Sequence, residues 1–259
     1  MTLALTLTSA FMLLAIDIGN TSITIGVFKK RHLIKRYLIP TKQQSYFVAL
    51  HRICAHHAIS DAIICSVVPK AAKKAVRDLS DILGRRPYII GKDIKAPIKN
   101  RYRKPQQVGT DRLVNAYAGV MFYGTPLIVI DFGTAVTFDV VSKKGEYLGG
   151  MILPGLQISL DALAQRTALL PQIRLAHPKG FIGRDTRTSM LSGVVFGFAA
   201  LVDALALRVK KVIGKNAQVV GTGGDSPLLA RYSRQMRKYD RELTLKGIVL
   251  LYEQKVRHV

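Results

Sequence analysis

The feature that most limits how this chain can fold is an internal repeat at an offset of 114 residues, Leu13 falling on Leu127. The first copy is Leu13–Pro40, LLAIDIGNTSITIGVFKKRHLIKRYLIP, and the second is Leu127–Pro154, LIVIDFGTAVTFDVVSKKGEYLGGMILP. They align without gaps: Asp17 on Asp131, Gly19 on Gly133, Lys29-Lys30 on Lys143-Lys144, and Pro40 on Pro154. Self-similarity of this kind means one supersecondary unit made twice. Each copy reads as a buried apolar strand, a tight polar turn at the Gly, a second strand, a Lys-rich turn and a third strand.

The segments after each copy are also comparable. In the first half a helix is expected around Ser45 to Ala58, a strand over Ala62–Val68, a helix from Lys70 to Leu83 and a short strand from Pro87 to Ile90. In the second half Gln157–Leu170 and Thr188–Ile213 read as helices, and Gln218–Gly221 as a strand. The fold class that follows is α/β: two related domains, each a mixed sheet that begins with a three-strand meander and is flanked by helices. The expected division is an extension over 1–11, a first domain over 12–124 and a second over 125–259. Residues 1–11 lack a basic n-region, no Lys or Arg occurs before Lys29, and Met12 reads as the natural start. No run of about 18 apolar residues free of polar ones appears, so no membrane span is expected.

Each repeat puts an Asp at the end of an apolar strand, just before a Gly turn. The two sets are Asp17-Ile18-Gly19-Asn20-Thr21 and Asp131-Phe132-Gly133-Thr134-Ala135. The Gly admits close backbone approach, and turn N–H groups with Asn or Thr side chains can hydrogen-bond phosphate oxygens. The Asp suits Mg²⁺, which neutralises the β- and γ-phosphates. A single such motif is equally an Asx-turn, in which the Asp caps the strand end; its duplication in register favours phosphate binding. Gly221-Thr222-Gly223-Gly224-Asp225 is a third Gly-rich turn, ahead of an expected helix over Ser226–Tyr232. It reads either as close approach to adenosine or ribose, or as a tight turn with an N-cap. In Tyr102–Arg112, Asp111 can accept a substrate proton and Arg112 can pair with an anion. The same residues also suit a helix N-terminus ahead of Leu113–Gly119.

Composition removes several function classes. Cys54 and Cys65 form no CxxC pair or disulfide framework, which points to a reducing cytoplasm. The six histidines include the adjacent pair His56-His57 but show no metal spacing, and neither a Walker A sequence nor a Ser-His-Asp arrangement is visible. Lys and Arg total 39 against 16 Asp and Glu, a net charge of +23. Such a field attracts polyanions, so non-specific nucleic-acid contact is one reading; a Lys/Arg-biased enzyme surface is the other. The positives are scattered, and no nucleic-acid-binding signature accompanies them.

Taken in series, the motifs resemble the type III pantothenate kinases. They are DIGNT (Asp17–Thr21), CSVVP (Cys65–Pro69), Y-x-x-P-x-x-x-G-x-D-R (Tyr102–Arg112), DFGTAVTFD (Asp131–Asp139) and GGMILPG (Gly149–Gly155). RTALLP (Arg166–Pro171), G-x-x-T (Gly183–Thr186), GTGG (Gly221–Gly224) and LTLKGIVLLYE (Leu243–Glu253) follow in order. The resemblance implies the duplicated ribonuclease H-like fold of actin-like ATPases, and ATP-dependent phosphorylation of pantothenate, the first step toward coenzyme A. It assigns ATP to Asp17, Ile18, Gly19, Asn20, Thr21, Thr134, Gly223 and Gly224, with Asp17 near Mg²⁺ and Asp131 on K⁺ or NH₄⁺. By the same resemblance Asp111 is the general base, and Tyr102, Gly109, Thr110, Arg112 and Thr186 contact pantothenate. It also implies a homodimer. The alternative reading is a nucleic-acid-associated transcriptional accessory factor on the same scaffold, because the family overlaps with proteins so described. A kinase acting on another hydroxylated substrate is a third reading; the pantothenate-side motif at Tyr102–Arg112 speaks against it.

Overall fold

A computed structural model describes residues 11–257. The chain divides into two compact units: Met1–Pro97 with Gly109–Val114 and Thr244–Val259, and Ile98–Val108 with Asn115–Leu243. In the first, β1 (Met12–Ile18), β2 (Ser22–Lys29) and β3 (His32–Pro40) form the meander. It is followed by α1 (Phe47–His57), β4 (Asp61–Ser66), α2 (Pro69–Leu83) and β5 (Tyr88–Ile89). A 3₁₀ turn at Pro105–Gln107 leads into α3 (Thr110–Tyr123), whose first five residues group with the first unit and the rest with the second. The second meander is β6 (Leu127–Phe132), β7 (Ala135–Val141) and β8 (Tyr147–Pro154). It is followed by α4 (Leu156–Arg166), α5 (Thr186–Ile213), β9 (Gln218–Thr222), α6 (Ser226–Ala230) and β10 (Lys238–Tyr239). The final helix, α7 (Leu243–Arg257), belongs from Thr244 onward to the first unit.

The two sheets have one topology, β3-β2-β1-β4-β5 and β8-β7-β6-β9-β10, with the meanders antiparallel and the later strands parallel. The central strands are apolar throughout because helices cover the sheets. Leu14, Ile16 and Ile18 pack with Ile23, Ile25 and Val27, and with Leu50 and Ile53 of α1 and Ala71, Ala75 and Leu79 of α2. On β2, Leu245 of α7 lies against Gly26. In the second unit Ile128, Ile130 and Phe132 join Val136, Phe138 and Val140, with Leu160 of α4 and Val194, Ala199 and Val202 of α5. This is the α/β architecture the repeat implies: two five-stranded mixed sheets, each opened by a meander.

The repeat is gapless in sequence but not in space. Asp17 faces Thr24 on β2, whereas Asp131 faces Thr137 on β7, one residue earlier than the offset predicts. The first turn spends three residues, Gly19-Asn20-Thr21, and the second only two, Gly133-Thr134. The difference is recovered before the third strand, where Ser22 pairs with Pro40 and Ala135 with Pro154. Each second strand carries its irregularity at the corresponding place, Val27/Phe28 and Val140/Val141.

The helices begin and end near the expected places. Pro69 opens α2 and Gly84 closes it with a positive φ. Asp185 and Thr188 form a capping box at the start of α5. The helix expected over Ser45–Ala58 starts later, because Ser45 Oγ and the Tyr46 N–H donate to the buried Asp78 carboxylate. Helix α4 stops at Arg166, with Thr167 already extended. By length and composition α5 is long and apolar enough to cross a membrane, and 44% of its most apolar stretch is buried in the second unit. Most of the expected extension lies outside the described residues; Phe11 lies inside them and stacks on Tyr252 of α7, ring centroids 6.1 Å apart.

Candidate active site

In the first unit Asp17 stands at the end of β1, in register with Cys65 of β4. The turn beyond it is closed by a hydrogen bond from the Gly19 N–H to the Ser22 carbonyl, 3.0 Å. Thr41 holds it from outside, its hydroxyl donating to the Gly19 carbonyl at 2.7 Å and its N–H to the Thr21 carbonyl at 3.1 Å. Asn20 and Thr21 project into solvent. The backbone of the turn is therefore fixed while its polar side chains stay accessible, the arrangement a phosphate-binding turn requires.

The N-terminus of α3 is fastened to the same sheet. Thr110 Oγ1 donates to the Ser66 carbonyl at 3.1 Å and receives the Cys65 thiol at 3.6 Å. This places Asp111 in the first turn of the helix, with Oδ1 accepting the Arg112 N–H at 2.8 Å. Gly109 leaves room for that carboxylate, since a Cβ at 109 would lie 2.5 Å from Asp111 Oδ1. Burial raises the Asp111 carboxyl above its ordinary range, and the Arg112 N–H and charge oppose the rise. Cys65 is pushed well up by burial first, and then by the negative charges of Asp17 and Asp111. One buried thiol thus has both carboxylates as electrostatic neighbours, so Asp17, Thr110 and Asp111 share one end of this sheet.

In the second unit Asp131 ends β6, and Asn115 Nδ2 of α3 donates to its Oδ2 at 3.1 Å. The Gly223 turn presses against it. With φ at +85°, a Cβ on Gly223 would meet Asp131 Oδ1 at 2.4 Å and the Phe132 carbonyl at 2.6 Å. Ser226 Oγ braces this turn through the Gly223 carbonyl, 2.8 Å. Thr222, paired with Asp131 in register, is fully buried, and its hydroxyl has no hydrogen-bond partner among the described residues. Thr134 lies in the β6–β7 turn, its carbonyl accepting the Gly155 N–H at 3.0 Å, and Gly224 is exposed. Asp225 occupies the N-cap of α6 without a side-chain capping bond, its carboxyl raised by burial and drawn back by Arg241.

Tyr102 is placed by the edge of the second sheet. Residues around Asn100 run alongside the start of β8, with the Arg101 N–H donating to the Tyr147 carbonyl at 2.8 Å. The Tyr102 ring lies over Gly149 and forms one wall of a cavity of about 610 Å³, shared with Arg101, Arg103 and Lys104. Thr186 is the exposed first residue of α5.

The profile of the type III pantothenate kinase family matches residues 13–208. Type III pantothenate kinase of Anaeromyxobacter dehalogenans (strain 2CP-C) is 38% identical over 251 residues, 93% of this chain and 99% of that protein. That of Geotalea uraniireducens (strain Rf4) is also 38% identical, covering 93% and 98%. This chain belongs to the type III pantothenate kinase family. Among solved structures, a Campylobacter jejuni protein described as a conserved Baf family transcriptional activator superposes with a TM-score of 0.58 at 19% identity, covering 94% of this chain and 99% of that one. A ROK family glucokinase from Streptomyces griseus gives 0.53 at 12% identity, covering 94% and 99%. These likenesses establish the fold, a pair of duplicated ribonuclease H-like domains.

Two residues escaped the sequence reading. Cys65 appeared there as a sign of redox compartment and as the first residue of CSVVP, with no place at the site, yet it pairs in register with Asp17 and has Asp111 as an electrostatic neighbour. Asn115 carries no motif, and only the turn of α3 that brings its amide to Asp131 discloses it.

Proposed function

We propose that this chain transfers the γ-phosphoryl group of ATP to the primary hydroxyl of pantothenate, yielding 4′-phosphopantothenate and ADP. Family membership across most of the chain supports the substrate and the reaction. The observation that carries the mechanism is the half-buried Asp111 carboxylate in the first turn of α3, its proton affinity raised by desolvation. A base tuned upward suits general-base work at neutral pH. The carboxylate takes the hydroxyl proton as the substrate oxygen bonds to the γ-phosphorus and the bridge to ADP breaks. Gly109, Thr110 and Arg112 in the first unit are proposed as pantothenate contacts, Arg112 suiting its carboxylate, as are Tyr102 and Thr186 in the second. Asp17, Ile18, Gly19, Asn20 and Thr21 are proposed as the first unit's ATP contacts, and Thr134, Gly223 and Gly224 as the second's.

Two cations complete the reading. Mg²⁺, when bound, neutralises phosphate charge that resists nucleophilic attack. Asp17 would hold it, and a carboxylate beside an accessible turn fits an ion that keeps most of its shell for phosphate and water. K⁺ or NH₄⁺ is proposed at Asp131. The fit rests on oxygen chemistry: Asp131 Oδ1 and the Phe132 carbonyl lie together beside the Gly223 turn, and the orphaned Thr222 hydroxyl is on the neighbouring strand. A homodimer is proposed as well; the strongly exposed Leu169, Phe181 and Ile182 supply apolar surface for it. The cytoplasm is the proposed compartment. The +23 charge gives the surface a general attraction for polyanions, nucleic acid included, that added salt suppresses.

The test is a coupled assay of ADP release from MgATP, with and without pantothenate, in K⁺ and in Na⁺ buffer. Turnover that requires both pantothenate and K⁺ is the expected result. ATP binding without turnover in either buffer would refute it.

A further inference from the structure

A second basic cavity, of about 240 Å³, opens in the second unit at the end of β9 away from the Gly223 turn. Strand β9 is five residues long, which at about 3.3 Å per residue puts roughly 15 Å between the cavity and that turn. Four cations line it: Lys210 at the end of α5, Lys215, and Arg237 and Lys238 at the start of β10. No Asp or Glu is among its lining residues, and none of the four cations forms an ion pair among the described residues. Asp203 of α5 is already taken up: it accepts Ser233 Oγ at 2.6 Å, the Arg234 N–H at 2.9 Å and the Gln235 N–H at 2.8 Å.

Two of the ammonium groups are held in place by neutral partners. Lys210 Nζ donates to Gln235 Oε1 at 3.0 Å and Lys238 Nζ to Gln218 Oε1 at 3.2 Å. An amide oxygen orients an ammonium without cancelling its charge and leaves its other protons available. Like charges gathered in a cleft and braced by neutral groups repel one another until an anion enters, and bracing lowers the ordering cost of that binding. The volume is below that of a pocket for a drug-sized ligand. The lining has no aromatic ring.

We propose that this cleft is a second anion site that takes a short condensed-phosphate chain, pyrophosphate or tripolyphosphate, either free or carried by a nucleotide. Its chemistry is independent of the pantothenate reaction, and none of its residues belongs to the proposed active site.

Calorimetric titration of tripolyphosphate into the full-length protein, in Mg²⁺-free buffer at moderate salt, tests the assignment. Wild type is compared with the triple variant Lys215→Gln, Arg237→Gln, Lys238→Gln, all three being exposed side chains. The variant is expected to lose one class of binding by about tenfold or more, the scale of two or three charge-assisted contacts. Pantothenate-dependent turnover should be the same in both proteins. Equal titrations would overturn the proposal; loss of the binding class in a pair of proteins that both lack turnover would support it while refuting the proposed reaction. Displacement by pyrophosphate or by ADP supports the site, and the stronger displacer distinguishes the free from the nucleotide-borne chain. Orthophosphate binding as tightly as tripolyphosphate would overturn the ligand class. So would a single-stranded DNA oligomer whose binding alone depends on the three residues. A second measurement needs no variant: saturating tripolyphosphate should slow chemical acetylation of Lys215 and Lys238 in wild type, and an unchanged rate would count against the site.

Discussion

Gly223 sits against the Asp131 carboxylate so closely that a Cβ at 223 would lie 2.4 Å from Oδ1. The contact joins the turn after β9 to the end of β6, and the positive φ of Gly223 shapes it. Gly223→Ala therefore meets two penalties, a left-handed backbone worth roughly 1–2 kcal/mol and a clash with fixed oxygens. We expect at least about 2 kcal/mol of stability to be lost in urea unfolding. An unchanged midpoint would show that the turn relaxes freely.

Asp111→Asn should lower turnover by about 10²-fold or more while ATP still binds. The same substitution should raise stability at neutral pH. Burial lifts the folded-state pKa of Asp111 above its unfolded value, so the native state holds the proton more tightly. That contribution is fully present below the unfolded pKa and is lost as pH rises through the folded one. The variant's advantage in thermal unfolding should accordingly be largest near about pH 8 and shrink toward about pH 4. A variant that is both active and no more stable would remove Asp111 as the base.

Asp131→Ala should abolish activation by K⁺ or NH₄⁺. It should also remove any rise in unfolding temperature that K⁺ produces over Na⁺ in wild type, a readout that does not depend on turnover. A variant that K⁺ still activates normally would place the cation elsewhere.

Tyr252→Phe tests how α7 is held on the first sheet. Tyr252 OH donates to the buried Asp61 carboxylate at 2.8 Å, beside Arg85 at 3.3 Å. Its own ionisation is pushed up by burial and then by the Asp61 charge. Losing this bond should cost about 1–2 kcal/mol in denaturant unfolding. Because Asp61 keeps Arg85 and the Ala62 N–H, Asp61→Ala, which removes all three interactions, should cost more.

Much of the fold was legible because its signals are local. The apolar runs of β1, β4, β6 and β9, the Gly turns and the Pro and Gly at the ends of α2 each follow from neighbours in the chain. The duplication could be read because both copies kept Asp, Gly and Pro at one spacing. The single-residue difference between the turns was hidden, since an ungapped alignment balances a short turn against a longer one further on. The proposed site residues came from motifs; the contacts of Cys65 and Asn115 did not, because their partners lie elsewhere along the chain.

By itself the sequence determined two α/β units, each opened by a strand meander with a Gly turn after its first strand, and membership in a kinase family. The tertiary structure decided what those motifs touch: the Thr110 hydroxyl on the Ser66 carbonyl, the Asn115 amide on Asp131, and α7 packed on the first sheet rather than the second. Local pattern specifies which strand or turn forms. Which distant side chain comes to rest against it depends on how whole faces pack, and that is settled only when all the apolar surfaces are buried together.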